Sequence, residues 1–389
     1  MKSFVSGFYN YFFNAEEILK SKRLAWIDYA KGLTIILVVY HHSFLTLINA
    51  GVKVNAWLVN ANLSVYSFRM PMFFILSGLF IAKSLKKYGA KKYIESRMRI
   101  LLYPYLLWAV IQTTFGILFS QYAHATWDLH RYLVILYQPN ATSQLWYLAT
   151  LFNTAALYVL LSACFHMRLR YQFILGVILY FISPFLFFNS MIQDTTRFYV
   201  YLVFGSLISD FILAGKNARM LFSIKSFIPL CIAMFFSQYY LFKHQYLYSL
   251  EMYFDMDKLG YQAVLQHFWG MLKFTMIVLI GCAFVLNVCT ILQRIGRGSF
   301  IRVIGYHSLY IYLMHVLLTV ACRMFFVNFL HYKNAFVILP FQITVCMIGS
   351  VMIYNLARHL GLNFLFEYDL KTFKKMFRNR RINLQYQKA

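Results

Sequence analysis

The sequence predicts an all-α fold: a polytopic membrane helix bundle of about ten transmembrane helices, with both termini cytoplasmic. The 389-residue chain is 61% hydrophobic and only 13% charged, which makes it far more apolar than an average soluble protein. Its apolar segments recur at the length that spans a bilayer. Its basic residues gather at the ends of those segments, where membrane proteins carry them.

The apolar segments divide into ten candidate spans, several of which are short or contain a polar residue. They form one membrane domain over residues 26–357, between a cytoplasmic or interfacial segment at 1–25 and a basic cytoplasmic tail at 358–389. The spans lie at about 33–49, 64–82, 100–118, 145–163, 172–188, 198–214, 226–242, 265–287, 303–327 and 334–357.

The distribution of positive charge predicts the orientation. If the termini and every second loop share one side, that side holds 28 of the 37 Lys and Arg residues, and the other side holds 8. This bias follows the positive-inside rule. The net charge of +25 is therefore explained by membrane insertion, and nucleic acid is not an expected partner. Six cysteines without C-x-x-C spacing indicate apolar packing, with no metal site expected.

The strongest functional candidate is His42, deep in the first span. The stretch from Trp26 to Ser43 reads W-I-D-Y-A-K-G-L-T-I-I-L-V-V-Y-H-H-S. At about 1.5 Å per residue, His42 lies roughly 16 Å from Lys31, near the middle of a bilayer about 30 Å thick. Lys31 and His42 are almost three helical turns apart and share one face, and Asp28 falls within about 40° of it. An ionisable group at this depth indicates a functional site.

A neutral imidazole at His42 can accept a proton from a hydroxyl, or become acylated and pass the acyl group on. The alternative is a histidine that hydrogen-bonds between helices as a packing contact. The neighbouring His41 points about 100° away from the shared face, so we expect it to be structural.

Two further patterns place polar residues in or beside spans. Ser308, Tyr312 and His315 are spaced i, i+4, i+7 and form one polar face, which either lines a cavity or packs against another polar helix. Arg97 and Arg99 precede the third span and can either hold phosphates or anchor the chain at the membrane surface. They project about 200° apart on a helix, so at most one of them faces a given site.

Two residues near span ends are predicted mainly as anchors. Arg69 opens the second span in R-M-P-M-F-F-I-L-S-G, where an anchoring role or contact with an acceptor is possible. Trp146 begins the fourth span, a position typical of interfacial aromatic residues.

Taken together, these segments resemble the acyltransferase 3 family of bacterial integral-membrane O-acyltransferases. The stretch D-Y-A-K-G-L-T-I-I-L-V-V-Y-H-H-S is similar to the family signature D-x-x-(R/K)-G…H, with His42 at the family histidine. F-R-M-P-M-F-F-I-L-S-G, R-M-R-I-L-L-Y-P-Y, L-W-Y-L and G-Y-H-S-L-Y-I-Y-L-M-H resemble later motifs in the correct order, over roughly residues 23–357. Arg69 departs from the pattern, since many members have histidine there, and R-x-R replaces the commoner R-x-x-R.

The resemblance implies transfer of an acyl group, usually acetyl from acetyl-CoA, to a hydroxyl of a cell-surface glycan or lipid-linked sugar at the bacterial inner membrane. Catalysis would rest on His42 with Asp28 and Lys31, and donor binding on Arg97 and Arg99. The residues expected to contact the acceptor are Arg69, Trp146, Ser308, Tyr312 and His315.

Two other classes of function remain open from the sequence. A proton-coupled transporter would use His42 and His315 as a proton relay, although the paired broken helices typical of transporters are not evident. A structural envelope protein would show no turnover. The sequence specifies neither the acceptor nor the oligomeric state.

Overall fold

In the computed structural model, the described residues are 10–21, 23–119, 128–213, 223–244 and 261–368. Every regular element in these ranges is a helix, which confirms the predicted all-α class. The first nine residues of the predicted N-terminal segment and the predicted tail from residue 369 onward lie outside the described residues.

Fourteen α-helices occur in the described residues, and they are numbered here in chain order. They are α1 (Ala15–Lys20), α2 (Ala25–Asn49), α3 (Ala56–Arg97), α4 (Tyr103–Leu118), α5 (Arg131–Val134), α6 (Trp146–Ala163), α7 (Leu169–Ile182), α8 (Ser190–Leu207), α9 (Ser209–Leu213), α10 (Ile224–His244), α11 (Tyr261–Ile295), α12 (Ser299–Tyr306), α13 (Ser308–Arg323) and α14 (Ala335–His359). Short 3₁₀ segments cover Pro139–Leu145, Ser183–Leu186 and Asn363–Leu365, and π-helical turns cover Met98–Leu102 and Met324–Phe329.

Eight helical stretches among the described residues are long and apolar enough to cross a membrane. One of them, the 63-residue stretch Ala56–Leu118, covers two of the expected spans and contains a break at Gly89, whose φ of +77° is accessible to glycine without strain. The expected span at 198–214 overlaps α8, which is not among the eight. The number of ten spans and the cytoplasmic location of the termini therefore remain predictions.

Asparagine residues cap the N-termini of three helices. The side-chain oxygen of Asn55 accepts a hydrogen bond from a backbone N–H in the first turn of α3, and Asn189 and Asn334 do the same for α8 and α14. These caps satisfy backbone donors that have no partner within the helix. They fix where α3 and α8, two helices of the candidate site, begin.

Glycines allow α2 and α12 to touch through their backbones. A Cβ atom at Gly32 would overlap the carbonyl oxygen of Ile301, and one at Gly305 would overlap the carbonyl oxygen of Asp28. Small residues permit this close approach between membrane helices. The contact packs the first half of α2 directly against α12.

A second contact of the same kind joins α3 to α8. A Cβ atom at Gly78 would overlap the carbonyl oxygen of Leu202, and one at Gly205 would overlap that of Ile75. The two helices run in the same direction through this contact, because the ring of Phe74 stacks on that of Phe198 and, further along both segments, the hydroxyl of Ser209 donates to the carbonyl oxygen of Leu79. The early turns of α3 and α8 are thereby brought to the same region.

Candidate active site

A partly open cavity of about 280 Å³ lies between α2, the early turns of α3 and α8, and the 3₁₀ segment Pro139–Leu145. This volume is close to the lower end of the roughly 300–1,000 Å³ range of small-molecule pockets. The charged and histidine side chains on its wall are His41, His42, Arg69, Asp194 and Arg197. Ionisable groups inside a membrane bundle mark functional sites.

His42 lies on the cavity wall and beside a second histidine. Its ring centroid is 5.2 Å from that of His315, which comes from α13. The Nδ1 atom of His315 is 2.9 Å from the carbonyl oxygen of Tyr312 and 3.1 Å from that of Ile311. A carbonyl oxygen can only accept, so Nδ1 carries the proton and Nε2 is left as an acceptor. Nε2 is buried and makes no hydrogen bond within the described structure.

His41 also reaches the cavity wall, although the helical geometry predicts a different direction for its side chain. Its Nδ1 atom is 3.1 Å from the side-chain oxygen of Asn62, and its ring centroid is 5.5 Å from that of Tyr66. The bond to Asn62 fixes the ring of His41. The assignment of the chemistry to His42 and of a structural role to His41 therefore remains a prediction.

Arg69 lies on the cavity wall and is only 6% exposed. Its guanidinium carbon lies 4.4 Å from the centroid of the Tyr66 ring. Its Nη1 atom is buried without a hydrogen-bond partner, and none of the ion pairs among the described residues includes Arg69. Two residues later, Pro71 lacks the N–H that would pair with the carbonyl oxygen of Ser67, and both of these residues also line the cavity.

Two charged residues of α8, Asp194 and Arg197, also line the wall, although their sequence context did not single them out as site residues. The Asp194 side chain is buried, hydrogen-bonds with the side chain of Asn140 and interacts electrostatically with Arg197. Its Oδ2 atom has no partner among the described residues. The sequence did contain one signal: opposite charges at i and i+3, next to an apolar span. Charged residues near the membrane interior are energetically costly, so such a pair indicates a functional site.

The aromatic and polar residues expected on the acceptor side divide into two groups. Trp146 and Tyr312 line the cavity, together with the amides of Asn140 and Gln144. Ser308 begins α13 and is not on the cavity wall. The structure thus places Tyr312 and His315 at or beside the site and leaves Ser308 about one helical turn further away.

Asp28 lies far from the cavity, at the other end of α2. Its carboxylate is almost fully buried and lies 3.6 Å from a guanidinium nitrogen of Arg23 and 3.9 Å from one of Arg302. At about 1.5 Å per residue, it is roughly 21 Å from His42 along the helix. Lys31 is also absent from the cavity wall, and its ammonium group interacts electrostatically with Asp28 and with Arg97.

Arg97 and Arg99 occupy different environments, as their opposite projections predict. The guanidinium carbon of Arg97 lies 4.7 Å from the ring centroid of Tyr93, and its Nε atom is buried without a hydrogen-bond partner. Arg97 also interacts electrostatically with Tyr147. Arg99 is exposed. The π-helical turn Met98–Leu102 begins directly after Arg97, so the helix is not regular between the two arginines.

A column of rings connects the surroundings of Arg97 with those of His42. The ring centroid of Tyr147 lies 5.3 Å from that of Tyr312. The Tyr312 ring lies 5.8 Å from that of His315, which in turn lies 5.2 Å from that of His42. We call Tyr147, Tyr312 and His315 the ring column. It links a basic region at one end of the bundle to the cavity.

Membrane-length helices around an internal wall of histidines and arginines define a multi-pass membrane protein with a polar internal site. The family model described as an acyltransferase domain, that of the acyltransferase 3 family, matches residues 24–355, which is nearly the whole chain, and the protein belongs to this family. It is therefore a membrane acyltransferase, which argues against the transporter and envelope alternatives. Among curated proteins and solved structures, none matches the chain.

Proposed function

We propose that this membrane acyltransferase is an O-acetyltransferase of the bacterial inner membrane. It would transfer the acetyl group of acetyl-CoA to a hydroxyl of a cell-surface or lipid-linked glycan. The observation that carries the proposal is the position of His42. Its side chain lines the cavity, and its ring adjoins His315, the last residue of the ring column that leads from the region of Lys31 and Arg97. A group in this position can meet a donor and an acceptor that arrive from opposite directions.

The basic end of the ring column suits the phosphates of acetyl-CoA. Lys31 and Arg97 lie close enough to interact electrostatically. The carboxylate of Asp28 is opposed by Arg23 and Arg302 as well as by Lys31, so positive charge is in excess in this region and favours an anionic ligand. Arginine binds phosphate through two parallel N–H donors. The donor supplies an acyl group activated as a thioester, which its pantetheine arm separates from the phosphates. Lys31 and His42 are separated by roughly 16 Å along α2. The extended pantetheine arm would cover this distance between the phosphates near Lys31 and the thioester near His42.

The cavity suits a sugar as acceptor. Asn140 and Gln144 offer amide groups that can donate and accept hydrogen bonds with hydroxyls. Trp146 and Tyr312 offer aromatic faces, which bind the apolar faces of small molecules. A few polar groups in an otherwise aromatic wall are typical of small-molecule sites.

In the proposed reaction, the imidazole of His42 accepts the proton of the acceptor hydroxyl. The hydroxyl oxygen forms a bond to the acyl carbon, the thioester C–S bond breaks, and His42 returns the proton to the leaving thiolate. General-base help of this kind contributes roughly 10²–10⁴-fold to the rate. The neighbouring His315 would hold the His42 ring in position.

The test compares the His42→Ala and His41→Ala variants, purified in lipid nanodiscs and supplied with acetyl-CoA and a glycan fraction from the native envelope. Release of the CoA thiol and the mass of the glycan are measured. We expect His42→Ala to abolish transfer and His41→Ala to retain most of it. Near-normal transfer by His42→Ala would refute the mechanism. Loss of activity in His41→Ala alone would show that the catalytic face is rotated by about 100°.

A further inference from the structure

We infer that the acceptor carries an anionic oxygen group, a carboxylate or a phosphate, and that Arg69 binds this group inside the cavity. The inference rests on the proposed function, because it names the class of acceptor that the same site would take. It is carried by one observation: Arg69 is a buried cation on the cavity wall that lacks an anionic partner among the described residues.

The surroundings of Arg69 leave its charge uncompensated. Only 6% of the residue is exposed, and its Nη1 atom has no hydrogen-bond partner. Removing a guanidinium group from water is costly unless a partner of opposite charge and further hydrogen bonds replace the water. Its electrostatic neighbours include His41 and His42, neither of which can supply a negative charge.

The carboxylate that the described cavity wall does contain has other partners. Asp194 hydrogen-bonds with Asn140 and interacts electrostatically with Arg197, and it forms no ion pair with Arg69. Asp194 thus lies within electrostatic range of Arg197, without an ion pair between them, whereas Asp194 is not among the electrostatic neighbours of Arg69. Arg69 remains as the unmatched positive charge.

The geometry around Arg69 favours an oxyanion over other ligands. The Tyr66 ring covers one face of the guanidinium at 4.4 Å, a cation–π contact that leaves the N–H groups in the plane of the guanidinium free. Parallel in-plane N–H groups match the two oxygens of a carboxylate or phosphate.

The position of Arg69 also connects binding to reactivity. Arg69 and His42 line the same small cavity and interact electrostatically. An acceptor whose anionic group lies at Arg69 therefore places its neighbouring hydroxyls near His42. A neutral sugar would leave the buried guanidinium unpaired, and sites of this kind reject ligands that lack the matching group.

The test measures equilibrium binding of three probes to the protein in lipid nanodiscs by isothermal titration calorimetry. The probes are methyl glucuronide, glucose 6-phosphate and the neutral methyl glucoside. A charge-assisted contact contributes about 10-fold or more in affinity, so we expect at least one anionic probe to bind that much more tightly than the glucoside. The anionic probe that binds more tightly identifies the group as a carboxylate or a phosphate.

Three variants complete the experiment. Arg69→Gln should remove the preference for the anionic probe. Arg69→Lys, which keeps the charge but loses the planar pair of donors, should reduce the preference, and it serves as the test if Arg69→Gln does not fold. Lys53→Gln removes a positive charge from the exposed loop between α2 and α3 and should leave the preference unchanged.

Equal affinity for the glucoside and both anionic probes, no binding of either anionic probe, or a preference that survives in Arg69→Gln would each overturn the inference. Its failure is distinguishable from failure of the proposed function. Transfer from acetyl-CoA to native glycan that depends on His42, together with no preference for an anion, would leave the proposed function intact. An Arg69-dependent preference without any transfer would instead reject the acetyltransferase activity.

Discussion

The rings of His42 and His315 lie 5.2 Å apart, centroid to centroid, although they belong to α2 and α13. The backbone carbonyls of Ile311 and Tyr312 hold the proton of His315 on Nδ1, so the other nitrogen of this ring can accept a hydrogen bond. A catalytic base is commonly oriented by a third group that fixes its ring and tautomer. His315 offers such an acceptor beside His42, although its Nε2 atom makes no hydrogen bond with the described residues in this structure.

His315 should therefore act as a positioning residue. We expect His315→Ala to lower kcat by roughly 10–100-fold, the size of effect seen when a group that orients a histidine is removed, with little change in the KM for acetyl-CoA. His315→Gln keeps a side-chain acceptor and should recover part of the activity. Steady-state kinetics of the two purified variants provide the measurement. Equal losses of kcat in both variants would show that His315 serves packing alone.

Arg97 should contribute more to donor binding than Arg99. Arg97 interacts electrostatically with Lys31 and has a buried Nε without a partner, whereas Arg99 is exposed. Arg97→Ala removes a charge-assisted contact worth roughly 1.5–3 kcal/mol, so the KM for acetyl-CoA should rise about 10-fold or more. Arg99→Ala is the matched control and should change it less. Unchanged KM values in both variants would show that Arg97 and Arg99 anchor the chain at the membrane surface and do not bind the donor.

The contact between α2 and α12 should tolerate no side chain at Gly305. A Cβ atom there would overlap the carbonyl oxygen of Asp28, and forced overpacking typically costs about 1–3 kcal/mol. Gly305→Ala should lower the thermal unfolding temperature in detergent. Gly349→Ala is the control, since the nearest atoms to its Cβ would lie at 3.7 and 3.9 Å. A Gly305→Ala protein as stable as the control would disprove the close contact.

The charge distribution predicts which loops face the cytoplasm. Reporter fusions at Lys92 and Lys375 should report a cytoplasmic location, and a fusion at Asn140 should report a periplasmic one. Paired reporters, each active on only one side of the membrane, make the assignment unambiguous. An exchange of sides at any of these three positions would reject the ten-span topology.

Local sequence geometry can predict only those features of the site that depend on one helix. The position of His42 along α2, about 11 residues from Lys31, follows from a rise of about 1.5 Å per residue, whereas the regular helix assumed between Arg97 and Arg99 is replaced by a π-helical turn from Met98 onward. The approach of His315 to His42 could not be derived in this way, because it depends on how two distant helices cross.

The contribution of α8 to the cavity wall could not be predicted from the sequence for a related reason. Asp194 and Arg197 lie outside the expected span at 198–214 and gave no pattern that linked them to Arg69, which is more than 100 residues earlier in the chain. Their approach to Arg69 depends on the close packing of α3 against α8 that Gly78 and Gly205 permit. Glycines in apolar segments are common, and the sequence does not reveal which pairs meet.

The two glycine contacts support different walls of the site. The contact through Gly32 and Gly305 carries the helix of His42, whereas the contact through Gly78 and Gly205 joins the helices of Arg69 and Arg197. Neither contact involves the side chains that face the cavity. Substitutions of the cavity-facing residues on α3 and α8 would therefore leave the packing of α2 against α12 unchanged, so the chemistry of one wall can be altered without displacing the helix that carries His42.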